Sequence, residues 1–279
     1  MPVLTLGAVT DSDHWRAVVR RWQQLGPPLR PSSEDVQCYE LLARSLAALS
    51  RPGKVLLLGV TPEVHAYAWP AGTRVLAVDH TQAMIDAIWP GPEADAVCHE
   101  WTALPARAEG SDLAICDGGV HLLPYPQGQR RLVEELARVL GERGACCFRL
   151  FVPPEQREAP EVVLSELLTG QIPNLNVLKL RLGMALQRSG EEGVAVHQVW
   201  QRLRDLARSW QELGERLGWP LEHLAAIDSY QGATNRYHFV TQEQVIDLFR
   251  SVAPEFRLTA TVVPRYLLGE RCPTVVFRR

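Results

Sequence analysis

The sequence predicts an α/β fold, a doubly wound and mostly parallel seven-stranded sheet whose last strand runs antiparallel. Helices are added before it and inserted within it. Three observations carry this reading. Between residues 54 and 151, short apolar runs alternate with helix-forming stretches. Those runs are apolar along their whole length, as in parallel strands covered on both faces. Near the C-terminus a helix precedes two apolar runs only about ten residues apart, too close for a helical crossover, so that pair is expected to be antiparallel.

The first helix is expected in "DHWRAVVRRWQQL", residues 13–25, where Trp15, Val18, Val19, Trp22 and Leu25 recur at helical spacing. "GPPLRPSSEDVQ" breaks it, and a second helix follows from about Ser33, with Glu34 and Asp35 in its first turn. Strands are expected at 54–58, 74–78, 95–98, 112–116 and 144–151, and helices at 62–69, 81–88 and 127–140. Residues 155–227 interrupt the alternation with helical patterns in "EVVLSELLTG", "NLNVLKLRLGMALQ" and "HQVWQRLRDLARSWQELGERLG". The core then resumes with a helix in "TQEQVIDLFRSVA" and strands in "FRLTATVVP" and "CPTVVFRR". The chain thus divides into an N-terminal helical lid (1–50), a core (51–154 and 236–279) and a helical cap insertion (155–235).

Bulk properties narrow the function. With 46% hydrophobic and 22% charged residues, the chain is composed like a soluble globular protein. A net charge of -3 supplies no basic field for nucleic acid or an anionic membrane. No apolar run approaches ~18 residues and no signal core is seen, so neither a membrane span nor export is expected. Six cysteines show no CxxC pair and no metal-ligand spacing, so no metal is expected and a reducing cytoplasm fits. Lysine is rare: only Lys54 and Lys179 occur among 29 cationic residues.

The chemistry begins in "KVLLLGVTPEVHAYAWPAGTRVLAVDH", residues 54–80. Gly59 closes the first strand and lets backbone approach a ligand closely. Thr61 is placed as a helix N-cap, with Pro62 at the first helical position and Glu63 in the first turn. Asp79 ends the second strand, where an acid accepts ribose hydroxyls in open α/β sheets. Glu63 would compete with a phosphate at that helix start, so a nucleoside cofactor without phosphate suits the turn better. A plain reading stands beside this one: Thr61 to Glu63 as a cap only, and Asp79 as the next helix's N-terminal charge.

In order and spacing these segments resemble the class I, S-adenosylmethionine-dependent methyltransferases with their Rossmann-like core. "VLLLGVTPE" is similar to the family's "VLDLGCGPG", matching at Gly59 and Pro62. Leu57 stands where an acid is usual, and Thr61 and Glu63 replace the second and third glycines. Asp79 matches the ribose-binding acid. "EWTALP" resembles "DAxxLP", which places Glu100 at the adenine amino group and Trp101 beside the ring. "DLAICDGGVHLLP" resembles the substrate-facing motif, and the terminal helix with its antiparallel strand pair completes the likeness over about 50–153 and 240–279. The resemblance implies S-adenosylmethionine as cofactor, held along Gly59, Thr61, Glu63, Asp79, Glu100, Trp101 and Asp117, and a small-molecule acceptor.

Methyl transfer from a sulfonium is an in-line displacement that needs alignment and dryness, and sometimes a base. Asp117 is the candidate to orient the acceptor and His121 to take its proton, with His238 a further catalytic candidate. The plain alternatives are a turn-capping Asp117 and a packed His121. In "SYQGATNRYHFV", residues 229–240, Tyr230, Arg236 and Tyr237 are substrate-contact candidates, against a structural connector with Tyr237 and Phe239 packed inward. Trp15, Trp22 and Tyr39 either close the site's mouth or belong to the core, and Arg30 is a candidate for the cofactor's carboxylate. Two other functions stay open. One is a methyltransferase-like protein that binds the cofactor without catalysis. The other is a nicotinamide-dependent oxidoreductase, disfavoured by the missing GxGxxG and by Glu63.

Overall fold

The strands follow one another as β1 (Lys54–Leu58), β2 (Arg74–Asp79), β3 (Ala96–Cys98), β4 (Ser111–Asp117), β5 (Leu140–Arg149), β6 (Val194–Ala195), β7 (Arg236–Tyr237), β8 (Arg257–Val262) and β9 (Thr274–Arg278). The structure is a computed structural model and describes residues 11–47 and 53–279. Seven of the strands form one sheet in the order β3-β2-β1-β4-β5-β9-β8, while β6 and β7 pair separately. Only β9 runs against the rest, antiparallel to both β5 and β8. The expected mostly parallel sheet with an antiparallel last strand is what the chain forms. Leu58 sits beside Val78 on one side and Cys116 on the other. That register brings Gly59, Asp79 and Asp117 together at the carboxyl ends of β1, β2 and β4.

Helix α1 (Asp11–Val19) stops short of the expected residue 25 and passes into a 3-10 turn at Trp22–Gln24 before Gly26 and two prolines. Helix α2 (Ser33–Ala47) begins where expected, and the Asp35 carboxylate accepts the Ser32 amide at 2.8 Å. Helix α3 (Pro62–His65) is a single turn rather than the expected 62–69. Pro70 disfavours helical backbone at Trp69, and the Tyr67 and Trp69 rings pack edge to face at 5.0 Å instead. Helices α4 (Gln82–Ile88) and α5 (Gln127–Val139) match expectation to within a residue.

The insertion is helical, as α6 (Pro160–Leu168), α7 (Leu175–Leu186), α8 (Val196–Arg204), α9 (Trp210–Leu217) and α10 (Leu221–Leu224). The helical pattern over 197–218 forms two helices, because the Ser209 hydroxyl accepts the Glu212 amide at 3.1 Å and starts α9 afresh. Helix α11 (Gln242–Val252) opens with a capping box between Thr241 and Gln244. One face of the sheet packs under α5 and α11, the other under α2 and α4, where Tyr39 and Met84 are buried. The insertion has an apolar core of its own, centred on α7 and reaching Phe151 and Phe239. Among the described residues no helix is long and apolar enough to cross a membrane.

Candidate functional site

The strand ends make the floor of a cavity of about 940 Å³, counted out to its mouth. Gly59 adopts φ 96°, a left-handed conformation that side chains rarely take, and its amide donates to the Val78 carbonyl at 2.8 Å. A Cβ there would stand 3.6 Å from Trp101 and 4.0 Å from Asp79 Oδ2, so the three residues form one corner. Asp79 is buried and lines the cavity. Its Oδ1 accepts the Thr81 amide at 2.9 Å and lies 3.7 Å from His80 Nδ1. Thr61 also lines the cavity, but its side chain makes no capping bond to α3.

Trp101 is more deeply built in than a side chain that only rests on a ligand. Its indole N–H donates to the Val78 carbonyl at 2.7 Å, and its ring lies where a Cβ on Gly119 would come within 2.9 Å. It belongs to the core as well as to the cavity wall. Trp101→Phe is therefore expected to lower stability. The lost hydrogen bond accounts for about 1 kcal/mol, because Val78 keeps the Gly59 amide as a donor, and the lost ring volume adds to it. Denaturant midpoints with unchanged slope would read this, and an unaltered midpoint would take Trp101 out of the core.

Glu100 is exposed and lies on a second cavity, next to the first, with Asn235, Arg236 and His238. Trp15, His80, Trp101, Leu122 and Tyr237 are shared by both. Arg236, expected at the substrate, instead ties down the segment just before β6, donating to the carbonyls of Glu192 at 2.8 Å and Gly193 at 3.2 Å. His238 is buried, and its Nδ1 meets the Gly190 carbonyl at 2.8 Å, which makes that nitrogen the protonated one.

Two expected site carboxylates are engaged elsewhere. Glu63 is not in the cavity wall; it accepts Arg30 Nε at 2.7 Å and holds the same guanidinium in an ion pair. Arg30, stacked 4.8 Å over Trp22, lines the cavity with its charge already matched. Asp117 reaches the cavity only as the end of β4. Its Oδ1 accepts Arg149 Nε at 2.6 Å and the Tyr39 hydroxyl at 2.5 Å, and Oδ2 accepts Arg149 Nη2 at 2.8 Å. The Asp117 side chain is 2% exposed and that of Arg149 fully buried. This revises Asp117 from a group that contacts cofactor or acceptor to one that fixes adjacent strand ends, and it puts Tyr39 in the core rather than at the mouth. Gly118 follows at φ 62°, where a Cβ would collide with Phe151 at 2.8 Å.

His121 lines the cavity inside an aromatic cluster, stacked on Phe239 at 5.2 Å and edge-on to Tyr237 at 4.7 Å. Burial, with the positive charge of Arg149 and the neighbouring His238, pushes its pKa from the usual 6.5 down to about 3. Its Nδ1 is buried without a hydrogen-bond partner. A group that stays neutral so far into acid accepts hydrogen bonds but is a poor proton acceptor, which changes what was expected of it. Tyr230 and Tyr237 stand edge to face at 6.2 Å on the same wall.

The helices complete the enclosure. Trp15, Val18 and Trp22 come from α1 and the turn after it, and Lys179 from α7. Lys179 and Arg149 escaped the sequence reading. Their signal was a cation inside an apolar run, Lys179 (with Arg181 two residues on) in "NVLKLRLGMAL" and Arg149 alone in "ACCFRLF". Among the described residues no cluster of three His, Cys, Asp or Glu could hold a metal ion.

No protein-family model matches the chain, and no curated protein matches it. Solved structures do. The CcbJ methyltransferase from Streptomyces caelestis superposes with a TM-score of 0.53 at 13% identity, over 95% of this chain and 97% of that one. The N-methyltransferase NodS from Bradyrhizobium japonicum WM9, in complex with S-adenosylhomocysteine, gives 0.48 at 10% identity over 94% and 98%. At such identity the first likeness is one of fold. Together with the strand order, it shows that the chain has the Rossmann-like fold of that methyltransferase.

Proposed function

We propose that this protein is an S-adenosylmethionine-dependent methyltransferase acting on a small-molecule acceptor. The observation that carries the reading is the corner where Asp79 Oδ2, the Gly59 backbone and Trp101 meet at the ends of β1 and β2, opening into a cavity covered by helices. The residues present fit a nucleoside without phosphate. Asp79 offers a carboxylate to hydroxyl donors, whereas the turn at Thr61 brings no unmatched cation, Arg30 being paired with Glu63. Bound there, S-adenosylmethionine would supply a methyl group carried on a sulfonium.

The roles of the chain follow from position. Asp79 takes the ribose hydroxyls, Gly59 and Thr61 let backbone pass close to the cofactor, and Trp101 is the apolar floor. Glu100, from the adjoining cavity, is the group available to the adenine amino edge. The N-terminal helices act as a lid and residues 155–235 as a cap, together excluding water from the sulfonium and limiting acceptor size. Tyr230 and Tyr237 are acceptor contacts, and His121 orients the acceptor as a neutral hydrogen-bond acceptor.

Calorimetry with S-adenosylhomocysteine tests the proposal. The parent is expected to bind it and not NAD. Asp79→Ala is expected to bind roughly ten- to a hundredfold more weakly, since a charge-assisted hydrogen bond contributes about 1.5–3 kcal/mol. Equal affinity of parent and variant would remove Asp79 from the site. Turnover to S-adenosylhomocysteine with a panel of small acceptors separates an enzyme from a protein that only binds.

A further inference from the structure

Helix α7 is buried on nearly every side, and Asn174 caps it by accepting the amides of Asn176 and Val177, each at 3.0 Å. Into this setting the chain puts Lys179, 6% exposed, with Nζ 4.7 Å over the Tyr230 ring and the side chain on the cavity wall. No carboxylate among the described residues pairs with it. Asp117 belongs to Arg149, Glu63 to Arg30, and Asp228 accepts the indole N–H groups of Trp200 and Trp210 at 2.9 and 2.8 Å. The charge that acts on it, Arg21, has the same sign, and burial with this repulsion lowers its pKa from 10.5 to about 7. The other titratable rings on this side are Tyr230, Tyr237 and, 5.7 Å from Tyr230, His14.

A buried ammonium without a counter-ion is unfavourable by several kcal/mol, and its contact with the Tyr230 ring offsets only part of that. An anion entering the cavity would supply the missing counter-ion. The wall it faces is aromatic, running from Tyr230 to Tyr237 to His121 and on to Phe151, with centroids 6.2, 4.7 and 5.1 Å apart. Near the far end of that wall the buried His121 Nδ1 lacks a donor. We propose that Lys179 is the acceptor-recognition residue, pairing with the carboxylate of a flat aromatic acid whose ring lies along the Tyr230–Tyr237 wall. Calling the ligand an acceptor rests on the methyltransferase reading; that the cavity binds an aromatic carboxylate does not.

The chain's two lysines make a direct test practical. Parent protein is labelled with trace acetic anhydride and the Lys179 peptide is quantified by mass spectrometry against Lys54. Benzoate is expected to protect Lys179 and leave Lys54 unchanged, while benzamide, the same shape without charge, protects neither. By calorimetry, Lys179→Met is expected to lose benzoate affinity by about ten- to a hundredfold and Lys179→Arg to retain part of it. S-adenosylhomocysteine affinity and melting temperature should not fall in Lys179→Met. Equal protection by benzoate and benzamide, or by neither, overturns the proposal. So does weaker S-adenosylhomocysteine binding in Lys179→Met, which would give the lysine to the cofactor's own carboxylate. If parent protein binds benzoate as described but not S-adenosylhomocysteine, the inference stands and the methyltransferase reading falls.

Discussion

Arg149→Met is expected to lower unfolding free energy by about 3–5 kcal/mol, the usual result of breaking a buried ion pair from one side. The guanidinium is enclosed completely. Two of its nitrogens bind the two oxygens of Asp117, and Nη1 donates to the Pro28 carbonyl at 2.6 Å. Without it, Asp117 keeps only the Tyr39 hydroxyl, and the Pro28 carbonyl loses this donor. The Tyr39 phenol cannot take over the charge, because burial and the adjacent Asp117 push its pKa well above 10.0. A double variant, Arg149→Met with Asp117→Leu, is expected to recover much of the loss, since no lone charge is left behind. Urea denaturation of the two single variants and the double variant completes the cycle. A single-variant loss below about 1 kcal/mol would mean that water reaches the pair.

The second large effect is in pH. Lys179 ordinarily titrates at 10.5 but near 7 in the fold, so above pH 7 the unfolded chain holds a proton that the native chain has released. Stability attributable to this residue therefore rises with pH, by about 1.4 kcal/mol per unit. The window that reads it is about pH 7 to 8. Above that, the thiols of Cys116 and Cys272 and the phenol of Tyr230, all pushed up to about 12, and the thiols of Cys146 and Cys147, also raised by burial, act in the opposite sense. They stay protonated in the native state while the unfolded chain ionises near 9.0 and 10.0, and stability is lost. His121 supplies an acid arm. Its pKa falls from 6.5 to about 3, so stability declines as pH drops below 6.5 and the loss is complete near 3. Lys179→Met is expected to flatten the rise between pH 7 and 8, and His121→Leu to soften the acid loss. Urea midpoints across pH measure both. A difference between parent and Lys179→Met that stays constant from pH 7 to 8 would show that the Lys179 amine is hydrated.

The sheet was legible because its strands are short, apolar throughout and separated by turn residues, a pattern that depends on neighbours in sequence. Gly59 and Asp79 could be placed at strand ends for the same reason. Boundaries set by tertiary contacts were not legible: α3 ends after one turn where Tyr67 and Trp69 pack together, and β6–β7 is a two-residue ladder that joins positions about forty apart. Roles decided by a distant partner were the hardest. Asp117 reads as an active-site acid until the β4–β5 register puts Arg149 beside it. Glu63 reads as part of a cofactor turn until Arg30 closes on it. Lys179 was visible as a rare residue, but only the packing around α7 shows that it lies on the cavity wall with no carboxylate partner.

The reversed direction of β9 decides which side of the molecule can be handled without touching the site. Its first residue, Thr274, pairs with Arg149 at the cavity end of β5, and its last, Arg278, pairs with Ala145. Arg279 continues away from the cavity, donating its amide to the Gly144 carbonyl at 3.0 Å and its guanidinium to the Leu140 and Ala137 carbonyls. A tether or fluorophore attached beyond Arg279 hangs from the amino-end face of the parallel strands. Immobilised that way, the protein presents its cavity mouth and Trp15 of α1 to solution.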